Sequence, residues 1–280
     1  MSNRKILFFD IDGTLISESS GEIPESTKTA LKRAQENGHI TIINTGRTRA
    51  LIEPRLQDMG FDGYICGCGT YIEIGGKVLY YKTIDKNKYT DILNMLKDNE
   101  ADVIIEGTEN IYMDLETENP EKQNKIKLFM DRGFPIKSLK SEDMSFDKFC
   151  FTLENEDKRD NIVEYLENED FDYIDRGANF FEVVPKGHSK ASGMQFLLDY
   201  FNLEKEDSYA FGDSYNDTAM FEYCPNGVLM ANGKQDLSKI VSFITKDVDE
   251  DGIEYALQHF NIVYMKIPQI QGLVLRYFLI

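Results

Sequence analysis

Residues 8–15, Phe-Phe-Asp-Ile-Asp-Gly-Thr-Leu, constrain this chain more than any other segment. The apolar run Ile6-Leu7-Phe8-Phe9 stops abruptly at two aspartates one residue apart, and Gly13 follows. A short β-prone run bounded by glycine reads as a buried parallel strand. Asp10 then sits at the carboxyl end of that strand, where open α/β sheets place their ligand crevice. Gly13 permits the tight turn that carries Ile11 to Leu15 off the sheet. Two carboxylates at one strand end repel each other unless a cation or a shared proton relieves them. Aspartate also favours turns, so one Asp-x-Asp alone does not separate chemistry from an ordinary strand end.

Three further segments share the same design. Ile40-Thr41-Ile42-Ile43-Asn44 is a β-prone run ending in Thr45-Gly46-Arg47. It follows a predicted helix from Glu25 to Asn37, framed by Pro24 and Gly38. Taken alone, Thr45 suits the N-cap of a helix starting near Thr48, and the fork of Arg47 suits a phosphate anion. Further on, Val184-Pro185-Lys186-Gly187-His188-Ser189-Lys190 leads into a helix with Met194, Leu197, Leu198 and Phe201 at helical spacing. Lys190 beside that N-terminus opposes the helix dipole, which makes sense if an anion faces it; the bland reading is a solvated lysine like Lys186. Last, Ser208–Gly212 is an apolar run ending in Asp213, and Asn216-Asp217 open the next helix. Capping explains one of those two residues but not the whole set.

In order and content these four segments resemble the motifs of the haloacid dehalogenase (HAD) superfamily, whose members are mostly phosphatases. Their spacing is most similar to the Cof-type branch, bacterial sugar-phosphate phosphatases with a large cap inserted between the second and third motifs. The resemblance implies Asp10 as nucleophile and Asp12 as general acid/base. It implies Thr45 and Lys190 as ligands of the transferring phosphoryl group, with Gly46, Arg47 and Asn216 as further phosphate- or substrate-binding residues. A magnesium ion would be held by Asp10, the backbone carbonyl of Asp12 and Asp213, with Asp217 supporting it directly or through water. One departure stands out. Cys68-Gly69-Thr70 occupies the stretch where many members carry Asn-Gly-Ala, which bears on substrate preference rather than on catalysis.

The expected fold is α/β: a Rossmann-like HAD core with a parallel sheet, residues 1–82 and 185–264, and an inserted α+β cap with an antiparallel sheet, residues 83–184. Hinges are expected near Lys82–Asp85 and Pro185–Gly187. Cap helices are expected at Glu121–Asp131 and Lys158–Glu167, and cap strands at Asp102–Glu106, Ile111–Asp114, Lys148–Leu153, Asp172–Ile174 and Phe180–Val184. Glu106, Asp114, Arg176 and Asn179 are the cap's candidate specificity residues. The apolar extension 265–280 has no assigned role; adding a strand, covering a groove and self-association all fit it.

A net charge of −18 argues against nucleic acid or anionic membranes as partners. It also means that an anionic substrate needs a local cluster, a metal with Lys190 and Arg47, to reverse the field. The four scattered cysteines suit a reducing cytosol, and Cys66-Gly67-Cys68 lacks the second pair or histidine of a metal site. No secretory signal is evident, and nothing reaches the ~20 apolar residues of a membrane helix, so a cytoplasmic location is expected. The function expected is a magnesium-dependent phosphomonoester hydrolase acting through an aspartyl-phosphate on a small phosphorylated metabolite, with sugar phosphates foremost. Two alternatives stay open: a phosphotransferase of the phosphomannomutase kind, and a noncatalytic sensor of a phosphorylated ligand. The sensor has no need of both Asp10 and Asp12.

Overall fold

The computed structural model describes residues 4–264; the extension 265–280 lies outside the described residues. The chain starts one sheet, leaves to build a second, and returns to finish the first. The first sheet opens with β1 (Ile6–Phe9), β2 (Ile40–Asn44), β3 (Gly63–Cys66), β4 (Tyr71–Ile74) and β5 (Lys77–Tyr81). The second uses β6 (Ala101–Glu106), β7 (Ile111–Met113), β8 (Ile136–Ser138), β9 (Lys148–Leu153), β10 (Phe171–Asp175) and β11 (Phe180–Pro185). The first is completed by β12 (Ser208–Gly212), β13 (Asn226–Leu229) and β14 (Phe243–Ile244). The helices are α1 (Glu25–Glu36), α2 (Pro54–Gln57), α3 (Tyr89–Asp98), α4 (Pro120–Asp131), α5 (Arg159–Asn168), α6 (Lys190–Phe201), α7 (Thr218–Tyr223) and α8 (Gly252–His259).

In the core sheet the order is β14-β13-β12-β1-β2-β3-β4-β5. Pairing is parallel from β14 through β3, and β4 and β5 form an antiparallel edge. Strand β1 lies in the middle of the parallel part, and its four residues are fully buried. Such a strand needs apolar side chains on both faces. Leu7 and Phe9 pack on one side with Ala30, Leu31, Leu257 and Ile253 from α1 and α8. Ile6 and Phe8 pack on the other with Met194, Leu197, Met220 and Phe221 from α6 and α7. The carboxyl ends of β1, β2 and β12, parallel neighbours in this sheet, open onto one edge of it, and the third motif comes from the start of α6.

The cap sheet runs β10-β11-β9-β6-β7-β8. Its β9 reads Lys-Phe-Cys-Phe-Thr-Leu, and the period of two divides the strand. Phe149, Phe151 and Leu153 join Phe181, Val183, Ile92, Leu96, Ile162 and Leu166 in the cap's own core, under α3 and α5. The opposite face carries Lys148 and Cys150, flanked by Glu106 and Glu182 on the neighbouring strands. The expectation of an antiparallel cap sheet needs one amendment: β7 and β8 pair in parallel at its edge. Strand β8 itself, three residues long, was not anticipated, because its short Ile-Lys-Ser run carries no periodic signal.

Helix α6 approaches β3 closely at Gly193. A Cβ there would stand 2.5 Å from Cγ2 of Ile65. Gly193→Ala should push α6, and Lys190 with it, away from the sheet, at a cost of about 1–3 kcal/mol for overpacking. Urea denaturation of the variant checks this, and an unchanged midpoint would contradict the tight contact.

Candidate active site

Asp10 follows β1 directly, and its N–H donates to the carbonyl of Phe211 on the adjacent β12 (3.0 Å). Its carboxylate is almost fully buried. Lys190, at the first turn of α6, points into the same spot. Ser189 caps that helix in a reciprocal box with Ser192, which fixes where the helix starts and so where Lys190 emerges. Nζ of Lys190 donates to Oδ1 of Asp10 (2.7 Å) and to Oδ1 of Asp217 (2.6 Å). Burial works against the charge of this lysine, but Asp10 and Asp217 outweigh it and hold its pKa above the usual value.

Carboxylate oxygens of Asp10, Asp213 and Asp217 lie within 4.8 Å of one another, all buried. Asp217 is the brace. Its Oδ2 accepts the N–H groups of Asp213 (2.8 Å) and Ser214 (2.9 Å), locking the turn after β12. Burial, and then the neighbouring acids, push Asp213 up to about 8. Burial raises Asp10 to about 6 against the pull of Lys190. Three crowded acids with one ammonium leave a deficit of positive charge, and their hard oxygen donors suit a magnesium-type cation. Gly13 makes the crowding possible: its φ is +75°, and a Cβ there would meet Oδ2 of Asp213 at 2.5 Å. Thr14 supports the same carboxylate, donating to Oδ1 of Asp213 (3.2 Å).

A cavity of about 360 Å³ opens above this cluster. Asp10, Asp12, Thr45, Gly46, Arg47 and Asn216 line its floor, and Glu106, Lys148, Cys150, Phe180 and Glu182 of the cap sheet line its roof. The structure therefore brings the nine expected positions into one neighbourhood, with one change of partner. Arg47 does not face an open anion site. It grips Asp12 through Nε (2.9 Å) and Nη2 (2.5 Å), and Nη1 reaches Glu53 (3.2 Å). Burial disfavours the Asp12 carboxylate, yet this fork more than offsets that and holds its pKa below the ordinary value. Thr45 makes no helix cap; its hydroxyl accepts the N–H of Arg47 (3.1 Å), and Thr48 precedes the short turn Arg49–Leu51 instead.

The sequence reading missed Lys148 and Glu182. Nζ of Lys148 donates to the carbonyl of Gly46 (2.8 Å) and to Oε2 of Glu182 (2.9 Å), joining cap to core. The two cations beside it, Lys148 ahead of Arg176, overcome burial and hold Glu182 down at about 2. A charge in each otherwise apolar alternating strand was the available signal. Cys68 sits beneath them in the left-handed conformation (φ 53°), which suits an asparagine at that position. Its thiol lies 3.5 Å from Oε2 of Glu182, and burial pushes it up to about 12, so it is an inert contact.

The chain matches the haloacid dehalogenase-like hydrolase family over residues 7–257. Among curated relatives, the protein named "Putative phosphatase YkrA" of Bacillus subtilis is 29% identical, over 92% of this chain and 98% of its own. A second from the same organism, named 5-amino-6-(5-phospho-D-ribitylamino)uracil phosphatase YwtE, is 25% identical over 90% of this chain and 96% of its own. A solved structure of the HAD subclass IIB sugar phosphatase BT4131 superposes with a TM-score of 0.80 at 28% identity, covering 92% of this chain and 100% of that one. The chain belongs to the haloacid dehalogenase-like hydrolases, and within them to the Cof-type phosphatases.

Across the junction of the two sheets, Thr70 donates to Oδ2 of buried Asp147 (2.8 Å), whose Oδ1 finds no partner among the described residues. Burial raises Asp147 from 3.8 to about 7. Between those values the folded chain holds a proton that the unfolded chain has lost. The stability this group contributes therefore falls as pH rises through that window and is gone above about 7. Asp147→Asn, neutral throughout, should lose less stability than the parent between pH 5 and pH 8 in urea titrations. Parallel curves would show that Asp147 is ionised in the folded chain.

Proposed function

We propose that this chain is a magnesium-dependent phosphomonoester hydrolase of small phosphorylated metabolites, sugar phosphates foremost, working through an aspartyl-phosphate. The observation that carries this reading is the buried contact of Lys190 with Asp10, beside Asp213 and Asp217, at the floor of a capped cavity. In support, two of the proteins named above are named as a 5-amino-6-(5-phospho-D-ribitylamino)uracil phosphatase and as a sugar phosphatase.

In this reading Asp10 attacks phosphorus in line, and the phosphoryl group passes to its carboxylate. Lys190, Thr45 and Asn216 hold the phosphoryl oxygens, with Gly46 giving the backbone room for close approach. Asp12 protonates the departing alkoxide, then takes a proton from the water that cleaves the acyl phosphate. The first of these tasks needs a protonated carboxyl, and Arg47 favours the ionised one. Transfer of the Arg47 fork from Asp12 to the substrate anion would free Asp12 to hold its proton. Asp10, the backbone carbonyl of Asp12 and Asp213 would bind the magnesium ion. Asp217, whose two oxygens are taken by Lys190 and by two N–H groups, would support that site from behind. Bound there, the ion supplies charge neutralisation for the phosphate and the acids around it. Residues 83–184 act as the cap that excludes water and reads the leaving group. The four free cysteines, all buried, go with a cytoplasmic site of action.

Asp10→Asn should fold normally and release no phosphate from any member of a panel of sugar phosphates, nucleotides, pyridoxal phosphate and flavin mononucleotide that the parent hydrolyses. Residual turnover near the parent's would mean that Asp10 is not the nucleophile. Magnesium should raise the melting temperature of the parent in a thermal-shift titration and restore turnover after EDTA, while Asp213→Asn loses both responses. A parent whose melting is indifferent to the ion would remove Asp213 from the metal site.

A further inference from the structure

The cap carries an arginine in the cavity that the reactions above leave unused. Arg176 lies at the tip of the β10–β11 hairpin, on a turn in which Gly177, Ala178 and Asn179 all have positive φ (82°, 50° and 58°). Three successive left-handed residues, one of them alanine, are a strained solution, and such strain gathers at functional segments. The turn is held in place. Arg176 N–H donates to Phe180 (2.9 Å), Phe180 N–H to Gly177 (3.0 Å), and Gly177 N–H to the Asp175 carboxylate (2.9 Å). Its effect is to send the arginine down onto the core. Nη1 pairs with Oε1 of Glu182, and Nη2 donates to the hydroxyl of Ser214 (3.3 Å). Ser214 donates in turn to Oδ1 of Asn216 (2.9 Å), and that same oxygen lies 3.4 Å from Nζ of Lys190. Arg176 thus lines the cavity two hydrogen bonds from the expected phosphoryl ligands.

The other cations of the crevice are committed. Lys190 is shared by Asp10 and Asp217, Arg47 by Asp12 and Glu53, and Lys148 is sealed between Gly46 and Glu182. Arg132 reaches the cavity only from the exposed end of α4. Arg176 differs because its carboxylate partner is doubly matched. If Arg176 leaves Glu182, Lys148 still holds that buried acid at 2.9 Å, with Glu106 sharing the ammonium at 3.7 Å, so Glu182 keeps a cation partner. Its side chain is 24% exposed against 2% for Lys148, which leaves it room to turn.

On the hydrolase reading above, we infer that Arg176 is a substrate-binding residue carried by the cap: it exchanges Glu182 for the oxygens of the transferring phosphoryl group, and so ties cap closure to occupancy of the phosphate site. A planar fork suits that anion. Because the contact is to the phosphoryl end, its worth does not depend on the leaving group.

The test compares the parent with Arg176→Gln, Arg176→Lys and Arg159→Gln. The last breaks the exposed pair with Asp175 on the same hairpin and serves as control. Phosphate release is measured from p-nitrophenyl phosphate and from several sugar phosphates in magnesium, with inorganic phosphate as inhibitor and circular dichroism as the check on folding. Arg176→Gln should lose about 10²-fold in kcat/KM, the scale of a lost oxyanion donor, by a common factor for every ester. The inhibition constant for phosphate should rise with it. The lysine variant should recover part of the loss, and Arg159→Gln should match the parent. Parent-like kinetics in Arg176→Gln would overturn the inference. So would a loss confined to particular leaving groups, or a lowered melting temperature with unchanged phosphate inhibition. A parent that hydrolyses no ester would instead sink the hydrolase reading. In that case calorimetric titration of inorganic phosphate into parent and Arg176→Gln still decides the arginine's role: equal affinity overturns it, weaker binding in the variant upholds it.

Discussion

A buried ammonium organises this molecule. Lys190 has no exposed side-chain surface, and it is tolerable there only because Asp10 and Asp217 meet it from two sides. Taking both carboxylates away would leave an uncompensated charge in a dry interior, an arrangement costing about 3–5 kcal/mol, whereas either one alone still pairs it. The three residues come from the first strand, the start of α6 and the turn after β12, so one ion pair network ties the two separated stretches of the core sheet together. The unfavourable placement of a lysine at a helix N-terminus is resolved by those same acids.

The cap adds a second network that is built differently. Alternation along β6, β9 and β11 buries aromatic and aliphatic side chains on one face and leaves Glu106, Lys148 and Glu182 on the other. This polar underside lies over strand ends that are themselves acidic. In a chain carrying −18 overall, Lys190, Arg47, Lys148 and Arg176 are drawn together around one crevice, where close neighbours weigh more on the local potential than the distant surface does.

Much of this was legible in the sequence, and the remainder was hidden for physical reasons. Strand ends announce themselves: Phe9-Asp10, Asn44-Thr45 and Gly212-Asp213 each mark an abrupt change from apolar to polar, and the structure gathers them on one edge. Helix α1 follows from the residues that frame it, Pro24 and Gly38. What the sequence could not supply is pairing at a distance. Nothing local says that Arg47 grips Asp12 rather than an open anion site, since the two are 35 positions apart. The face that Lys148 presents follows from Phe149 and Phe151, but its partners Gly46 and Glu182 come from two other elements. Strand β8 was missed because three residues carry no period, and its parallel pairing with β7 depends on where α4 returns the chain.

Leu51, a residue of the core, does not belong to either core cluster. It is buried instead among Ile104, Ile111, Met113 and Ile126 of the cap, with Phe129 and Phe134 beside it. Any parting of the two halves must wet this small greasy seam, which therefore works against opening whether or not anything is bound. Swinging apart has a standing thermodynamic toll, and product escape is the step that would feel it.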